Sequence, residues 1–311
     1  MAVPCLPCRY AAAGAIATPR RFARQARCAR RFVVLWLQAL ACRVFKPAGT
    51  VPMATALRRP ARQAGMPAPA SIVGQKMFTP SRALAPMVAV GKLATYRIIR
   101  TNEVDAKDRP IAKLDVPAFG ATAAPADNFA GTSRKAAKLS VAAAPVEAFT
   151  DLRDLIASLP AKKTMTGHKP KITTDAKSGR VALETRNVRV RAFLYAASRE
   201  SDRDYHLIIG RARNKTQRAY MTVEVSGLPP KTSASFPRLN TARTAYKLFF
   251  GADLPGTSYD FYDPPIPIDI AGSLFFDVSH ATGTPPGPQS LRKDMPTIWE
   301  IHPVTDIVFE P

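Results

Sequence analysis

The chain has 311 residues, enough for one or two domains with sizeable cores, and a formal net charge of +22. Residues 1–102 hold 17 Lys and Arg and no acid, whereas residues 103–311 hold 28 basic against 23 acidic residues. The charge of the whole chain therefore does not by itself indicate a nucleic-acid-binding protein. All four cysteines lie in the first 42 residues, which excludes a cysteine nucleophile and a disulfide from the rest of the chain.

Residues 1–65 are rich in Ala, Arg and Pro without periodicity, which predicts a disordered basic segment. Its apolar run, Phe32–Ala41, is half the length of about twenty residues that a membrane-spanning helix needs, so we expect no transmembrane segment. The segment has three interpretations: a secretory signal, an organelle transit peptide, or sequence upstream of the true translation start. A start at Met53 or later favours a cytoplasmic protein.

Residues 66–145 are predicted to form a partly ordered extension and linker. Within them, Thr95–Arg100 and Ile111–Val116 are predicted strands, and the Ala-rich residues 117–145 are typical of a linker. A helix is predicted from Pro145 to Pro160, because apolar residues recur there at helical spacing.

Residues 146–311 are predicted to form a mainly β domain with one or two helices. Apolar and polar residues alternate from Asn187 to Leu194 and again from Tyr205 to Ile209, which predicts a hairpin with the charged run Arg199–Asp204 as its turn. The later predicted elements are a strand at 221–225, a helix at 237–250 and strands at 268–277 and 298–310.

The order of three strands, one helix and two strands predicts a five-stranded OB-like barrel, in which the helix closes one end. Gly272, in the middle of the fourth strand, is consistent with a bend at a barrel corner. Another small β-barrel, or an open meander with one helix, is the alternative.

Two C-terminal segments, Phe275–His280 and Trp299–Val304, read Phe-Phe-Asp-Val-Ser-His and Trp-Glu-Ile-His-Pro-Val. They resemble the closing signature of uncharacterised bacterial proteins with an OB-like C-terminal domain, which ends in a Glu-Leu-His-Pro-Val type of strand. Asp204–Ile209 is similar to the second strand of those proteins. The resemblance covers the C-terminal third of the chain and implies no established activity.

Three of the four histidines lie in this domain, and each has an acid nearby in the sequence. On the predicted strands most of these side chains point away from the apolar face, where imidazole and carboxylate groups could hold a divalent metal and a hydrolytic water. The catalytic candidates are Asp204, His206, Asp277, His280, Glu300 and His302. The simpler interpretation is that polar residues on outward strand faces are solvated or tie loops together by hydrogen bonds, because the spacing of these residues matches no ligand motif.

Basic residues suggest a second kind of site, since OB barrels bind ligands on strands two and three between the 1–2 and 4–5 loops. The candidate ligand-binding residues are Arg189, Arg191, Arg211, Arg213, Lys215, Arg218, Arg292 and Lys293. Phe193, Tyr195 and Phe275 are candidates for base stacking.

The leading prediction is a non-enzymatic OB-like module that needs no cofactor and binds single-stranded nucleic acid or another polyanion. The alternative is a metal-dependent hydrolase, a nuclease or phosphoesterase, with a divalent ion. The chain has neither a Gly-rich phosphate loop nor a Gly-x-Ser-x-Gly elbow.

Overall fold

The computed structural model describes residues 72–80, 94–105, 126–211 and 218–310. The predicted disordered segment 1–65 and the predicted strand Ile111–Val116 lie outside these residues. Within the described part of the chain, no helix has the length and apolar character needed to cross a membrane.

The described residues form eight strands and five α-helices, so the prediction of a mainly β protein is confirmed. The elements are β1 Ile72–Phe78, β2 Tyr96–Thr101, α1 Lys135–Lys138, β3 Val146–Phe149, α2 Leu152–Ala157, α3 Lys162–Thr166, β4 Asn187–Arg199, β5 Tyr205–Gly210, β6 Tyr220–Val225, α4 Phe236–Phe250, β7 Asp260–Phe276, α5 Gln289–Arg292 and β8 Trp299–Phe309.

Five of these strands pair in a closed ring of order β4–β5–β6–β8–β7, because β7 also pairs with β4. The β6–β8 pair is parallel, and the other four pairs of the ring are antiparallel. Outside the ring, β2 extends the sheet from the first residues of β7, β1 pairs with β2, and β3 lies parallel to the start of β4.

Apolar side chains that alternate along the strands fill the inside of the ring. Val188, Val190 and Leu194 of β4 lie there with Leu207 and Ile209 of β5, all in one buried cluster. Burial of apolar side chains in such a cluster is the main favourable contribution to the free energy of folding. The polar residues that alternate with them therefore lie on the outer face of the ring, as predicted.

Helix α4 follows β6 and begins within a residue of its predicted start. It packs against β8 and β6. Tyr246 lies over Tyr205 with ring centroids 4.8 Å apart, and Phe249 stacks on Phe309 at 3.7 Å. The helix thus adds its apolar face to the core inside the ring.

The predicted helix from Pro145 to Pro160 is wrong in its first half. Val146–Phe149 forms β3, because the backbone of β4 at Asn187–Val190 offers it a parallel partner. Helix α2 starts only after Asp151, whose side chain caps it by accepting a 2.9 Å hydrogen bond from the backbone N–H of Arg153.

Residues 126–145, which belong to the predicted linker, pack across the outer face of the ring. Arg134 is buried at the start of α1 and donates two hydrogen bonds to the carboxylate of Glu184, at 2.7 and 2.8 Å. A third hydrogen bond, to the carbonyl of Phe276, ties it to the end of β7. These contacts hold α1 against the ring, with Lys138 Nζ 3.7 Å from Asp204, just before β5, and 3.6 Å from Glu224 of β6.

Candidate functional site

Strand register brings three candidate ligands together on the outer face of the ring. His206 of β5 lies directly opposite Glu224 of β6, and Glu300 of β8 is paired with Thr222, two residues before Glu224. Because side chains alternate along a strand, all three project to the same side. His302 follows Glu300 by two residues and shares that face.

The covering segments bury these groups. Exposure is 1% for His206, 3% for Glu224, 2% for Glu300 and 0% for His302. The simpler interpretation, outward polar residues in contact with solvent, is therefore wrong for these four.

His206, Glu224 and Glu300 each offer one ligand atom, and the three atoms lie within 4.8 Å of one another. Among the described residues, the buried atoms His206 Nε2 and Glu300 Oε2 have no hydrogen-bond partner, whereas Glu224 Oε2 lies 2.8 Å from His302 Nδ1. An unsatisfied buried polar group costs about 1–3 kcal/mol, so such atoms call for a partner that the described side chains do not supply.

The other ring nitrogen of His206 is well held. Its Nδ1 lies 2.9 Å from the hydroxyl of Tyr259 and 2.8 Å from Glu200 Oε1, with Asp105 Oδ2 at 3.8 Å. Metal-binding histidines are commonly oriented in this way, with one nitrogen on a carboxylate and the other on the ion. The geometry leaves Nε2 as the nitrogen that could hold a cation.

A second group of three shares Glu224. Asp204, Glu224 and His302 also offer ligand atoms within 4.8 Å of one another. The ring of His302 lies between the two carboxylates, with Nδ1 at 2.8 Å from Glu224 and Nε2 at 3.4 Å from Asp204. Lys138 Nζ is close to the same acids, at 3.6 Å from Glu224 and 3.7 Å from Asp204.

Burial and mutual charge move the pKa values of these groups apart. Burial, with repulsion from neighbouring acids, raises the pKa of Asp204 and of Glu300 well above the usual range. Burial acts in the same direction on Glu224, but His302 and Lys138 outweigh it and hold the pKa of Glu224 well below its usual range. One carboxylate of the cluster is thus kept ionised while two of its neighbours favour the protonated form.

The histidines diverge in the same way. Burial alone would lower the pKa of His206, but the adjacent carboxylate of Glu200 raises it to about 10. Burial raises the pKa of Glu200 to about 7. For His302, burial prevails over Glu224, and the pKa is lowered. Groups with pKa values pushed apart in one cleft are typical of functional sites.

A cavity of about 350 Å³ lies against this cluster. Besides the three converging ligands it is lined by Asp105, Lys138, Glu200, Asp202, Asp277 and His280, and by residues of the loop 130–133. The described lining therefore has six carboxyl groups, two histidines and one lysine.

Four of the six catalytic candidates, His206, Asp277, His280 and Glu300, line this cavity, and the other two, Asp204 and His302, lie in the group that shares Glu224. His280 Nε2 is 3.5 Å from Asp105 Oδ1 and 3.5 Å from Asp277 Oδ2, while its Nδ1 is 3.1 Å from the carbonyl of Thr284. The structure thus brings residues from β5, β8 and the end of β7 to one place.

The predicted ligand-binding cations lie elsewhere and are mostly paired. Arg189 contacts Asp269 at 2.9 Å and Asp306 at 3.0 Å, and Arg191 lies 3.5 Å from Glu310.

The remaining cations contact other parts of the chain. Arg211 binds Asp151 at 2.7 Å, Arg218 lies 3.5 Å from Asp294, and Arg292 donates to the carbonyl of Gly287. Lys293 is exposed, whereas Arg213 and Lys215 lie outside the described residues. Of the stacking candidates, Tyr195 and Phe275 are buried and Phe193 is half-buried.

Sequence reasoning missed Asp105, Lys138, Glu200 and Glu224. Glu224 lies at an outward position of a predicted strand, so the alternation that selected Glu300 and His302 could have selected it as well. Asp105 and Lys138 carry no such signal, because they come from segments expected to be turn and linker.

No protein-family model, no curated protein and no solved structure matches this chain.

Proposed function

We propose that this protein is a metal-dependent hydrolase of phosphoesters, with its centre on the outer face of an OB-like barrel. One observation carries the proposal: His206, Glu224 and Glu300, on three adjacent strands, offer ligand atoms within 4.8 Å of one another, and the buried atoms His206 Nε2 and Glu300 Oε2 have no hydrogen-bond partner among the described residues. His206, Glu224 and Glu300 would hold the ion. One imidazole and two carboxylates suit Mn²⁺ or Zn²⁺.

The pairing of the strands supports the OB-like assignment. Numbered within the ring as one to five, β4, β5, β6, β7 and β8 have the order 1–2–3–5–4, and α4 lies between strands three and four. OB barrels bind ligands over strands two and three between the 1–2 and 4–5 loops. The cavity has this position, since Glu200–Asp202 and Asp277–His280 are its loop walls.

The same placement supports membership of the uncharacterised bacterial group that the C-terminal signature resembles. The two signature segments contribute Asp277, His280 and Glu300 to the cavity wall. If this chain and those bacterial proteins have the same site, the signature that they share should contain residues of that site, as it does here.

Hydrolysis at this centre needs three contributions. A divalent ion held by His206, Glu224 and Glu300 would supply a water of lowered pKa and would neutralise charge on the phosphoryl oxygens. Glu200 orients His206 through Nδ1, and His280, whose Nε2 lies 3.5 Å from the lining carboxylates of Asp105 and Asp277, would deliver a proton to the departing alkoxide. The water would lose one proton to solvent and add to the phosphorus of a phosphodiester; the phosphorus–oxygen bond to the leaving alkoxide would break, the alkoxide would take the proton of His280, and a phosphomonoester and an alcohol would result.

Single-stranded nucleic acid is the first substrate class to test, because it is both the polyanion predicted from the sequence and a phosphodiester that a metal-dependent hydrolase could cleave. The arginines of the described barrel are largely neutralised by carboxylates, so the ion would attract the phosphate. A non-catalytic binding module is the competing outcome of the same test.

The experiment uses the full chain, stripped with a chelator and then supplied with Mn²⁺ or Zn²⁺. We expect about one bound ion per chain and metal-dependent cleavage of a single-stranded oligonucleotide or of bis(p-nitrophenyl) phosphate. Glu300→Gln and His206→Asn should each reduce cleavage at least ~100-fold, because each removes a proposed ligand.

Glu310→Gln is the matched control, because it makes the same change just beyond the end of β8, and it should keep full activity. Cleavage is measured rather than binding of the oligonucleotide. Every variant contains the basic residues 1–65, which would bind a polyanion by charge whether or not the site is intact. Metal binding without cleavage would leave a metal-containing binding module, and absence of metal binding would refute the centre.

A further inference from the structure

We infer that Lys138 occupies a second cation position, formed by Asp204, Glu224 and His302, so that the centre combines one metal ion with one lysine. The inference rests on the proposed function, because it assigns the single ion to His206, Glu224 and Glu300. It adds that removal of the ammonium group opens a two-ion centre in which Glu224 bridges the ions.

Distances place the ammonium group at this position. Lys138 Nζ lies 3.0 Å from Asp202, 3.7 Å from Asp204 Oδ2 and 3.6 Å from Glu224 Oε2. The last two oxygens are also those nearest to the ring nitrogens of His302. The lysine and a metal ion would therefore compete for the same carboxylate oxygens.

Burial makes a cation necessary there. Asp204 and His302 are fully buried, and Glu224 nearly so. Buried carboxylates are stable only when a positive charge or hydrogen bonds compensate them. Asp204 Oδ2 and Glu224 Oε2 face His302 at 3.4 and 2.8 Å and Lys138 Nζ at 3.7 and 3.6 Å, so Lys138 is the cation that compensates these two oxygens.

The two positions share a ligand. Glu224 belongs both to the group with His206 and Glu300 and to the group with Asp204 and His302. In two-metal hydrolytic sites a carboxylate commonly lies between ions about 3.5–4 Å apart. Here α1, held by the Arg134–Glu184 pair, delivers a side-chain cation to one of the two positions.

The test is the amount of Mn²⁺ bound by the full-length protein and by Lys138→Gln. We expect one equivalent in the native protein and two in the variant. The electron paramagnetic resonance spectrum of the variant should show exchange coupling, because the two ions share Glu224. Lys138→Arg keeps the charge, and Lys135→Gln changes an exposed lysine of the same helix, so both should bind one equivalent.

The outcomes separate the two proposals. One equivalent in both native protein and Lys138→Gln overturns the inference and leaves the proposed function. No ion in the native protein but one in the variant supports the inference and rejects the first ligand set. No ion in either protein overturns both.

Lys138→Gln could unfold because it leaves buried acids without their cation. In that case Mn²⁺ should restore folding, followed by circular dichroism, because an ion then replaces the ammonium group. A variant that stays unfolded at saturating Mn²⁺ overturns the inference.

Discussion

Gly272 shows how much the ring depends on a single missing side chain. It lies where β7 crosses β8, at a shift in register on both sides. A Cβ at this position would lie 2.3 Å from the carbonyl oxygen of Pro303 and 3.0 Å from Val304 Cα, both backbone atoms. The corner predicted from the sequence is thus a place of close backbone approach.

Gly272→Ala should therefore destabilise the fold by about 1–3 kcal/mol, because backbone atoms must move apart to admit the methyl group. Chemical denaturation monitored by circular dichroism measures this difference. Gly179→Ala is the control, since nothing lies within 4 Å of the added Cβ there, and it should leave stability nearly unchanged. Equal stability of the two variants would contradict the close approach.

At the scale of elements, the covering segment 126–145 packs over the outer face of the ring and buries polar groups that would otherwise contact solvent. Besides the Arg134–Glu184 pair, it is fixed by Asp127, which accepts hydrogen bonds from Arg243 at 2.9 Å and Lys247 at 2.6 Å, both on α4. Arg243 is itself buried and also donates to the carbonyls of Val225 and Ser226. The segment, α4 and the end of β6 are thus joined by one network.

Asp127→Asn should cost about 1–2 kcal/mol at neutral pH, a value kept low because Asp127 is about one-third exposed. Burial alone would raise the pKa of Asp127, but the two cations outweigh it and lower the pKa below 3.8. A carboxylate whose pKa is lower in the folded than in the unfolded state stabilises the fold at pH values above its unfolded-state pKa. This contribution is lost as the pH falls through its folded-state pKa.

The stability difference between native protein and Asp127→Asn should therefore vanish as the pH drops below 3.8. Urea unfolding as a function of pH measures it. Asp175→Asn, in an exposed turn where the amide oxygen can still accept the hydrogen bond from Lys177, is the control and should match the native protein. A difference that persists in acid would contradict the ion-pair explanation.

At the scale of the whole molecule, β1 belongs to the sheet although the sequence did not predict it. It pairs with β2 from Ile72 to Phe78, and Phe78 lies in the core against Phe249 and Phe250. Lys76 also contacts Asp253 at 2.6 Å. We expect the folded unit to begin at or before Ile72.

Limited digestion with trypsin tests this expectation together with the predicted disorder of residues 1–65. Cleavage should reach Arg62 quickly and stop before Lys76, because a paired strand does not fit a protease active site. Mass spectrometry of the resistant fragment gives its first residue, and the unfolded chain, cut after Lys76, is the control. A resistant fragment beginning at Met77 would contradict the role of β1.

The sequence by itself determined β4, β5, β6, β8, the helix α4 and the side of each strand that carries polar groups, but β7 begins at Asp260, eight residues before the predicted strand 268–277. Local alternation is enough for this, since a strand exposes every second residue and α4 repeats its apolar residues at helical spacing. Gly272 was recognised in the same way. The division between core and outer face is thus written locally in β4, β5, β6 and β8.

Only the tertiary structure decided which polar groups meet. His206, Glu224 and Glu300 converge because β6 pairs with both β5 and β8, and strand register depends on contacts distant in sequence. Lys138 lies in a segment whose composition is typical of a linker. Arg189 pairs with Asp269 of β7 and Asp306 of β8. Because of this long-range pairing, the outer face of the ring, which was expected to be solvated, carries a buried acidic cluster. For the same reason Arg189, which was expected to bind a polyanion, forms ion pairs within the chain.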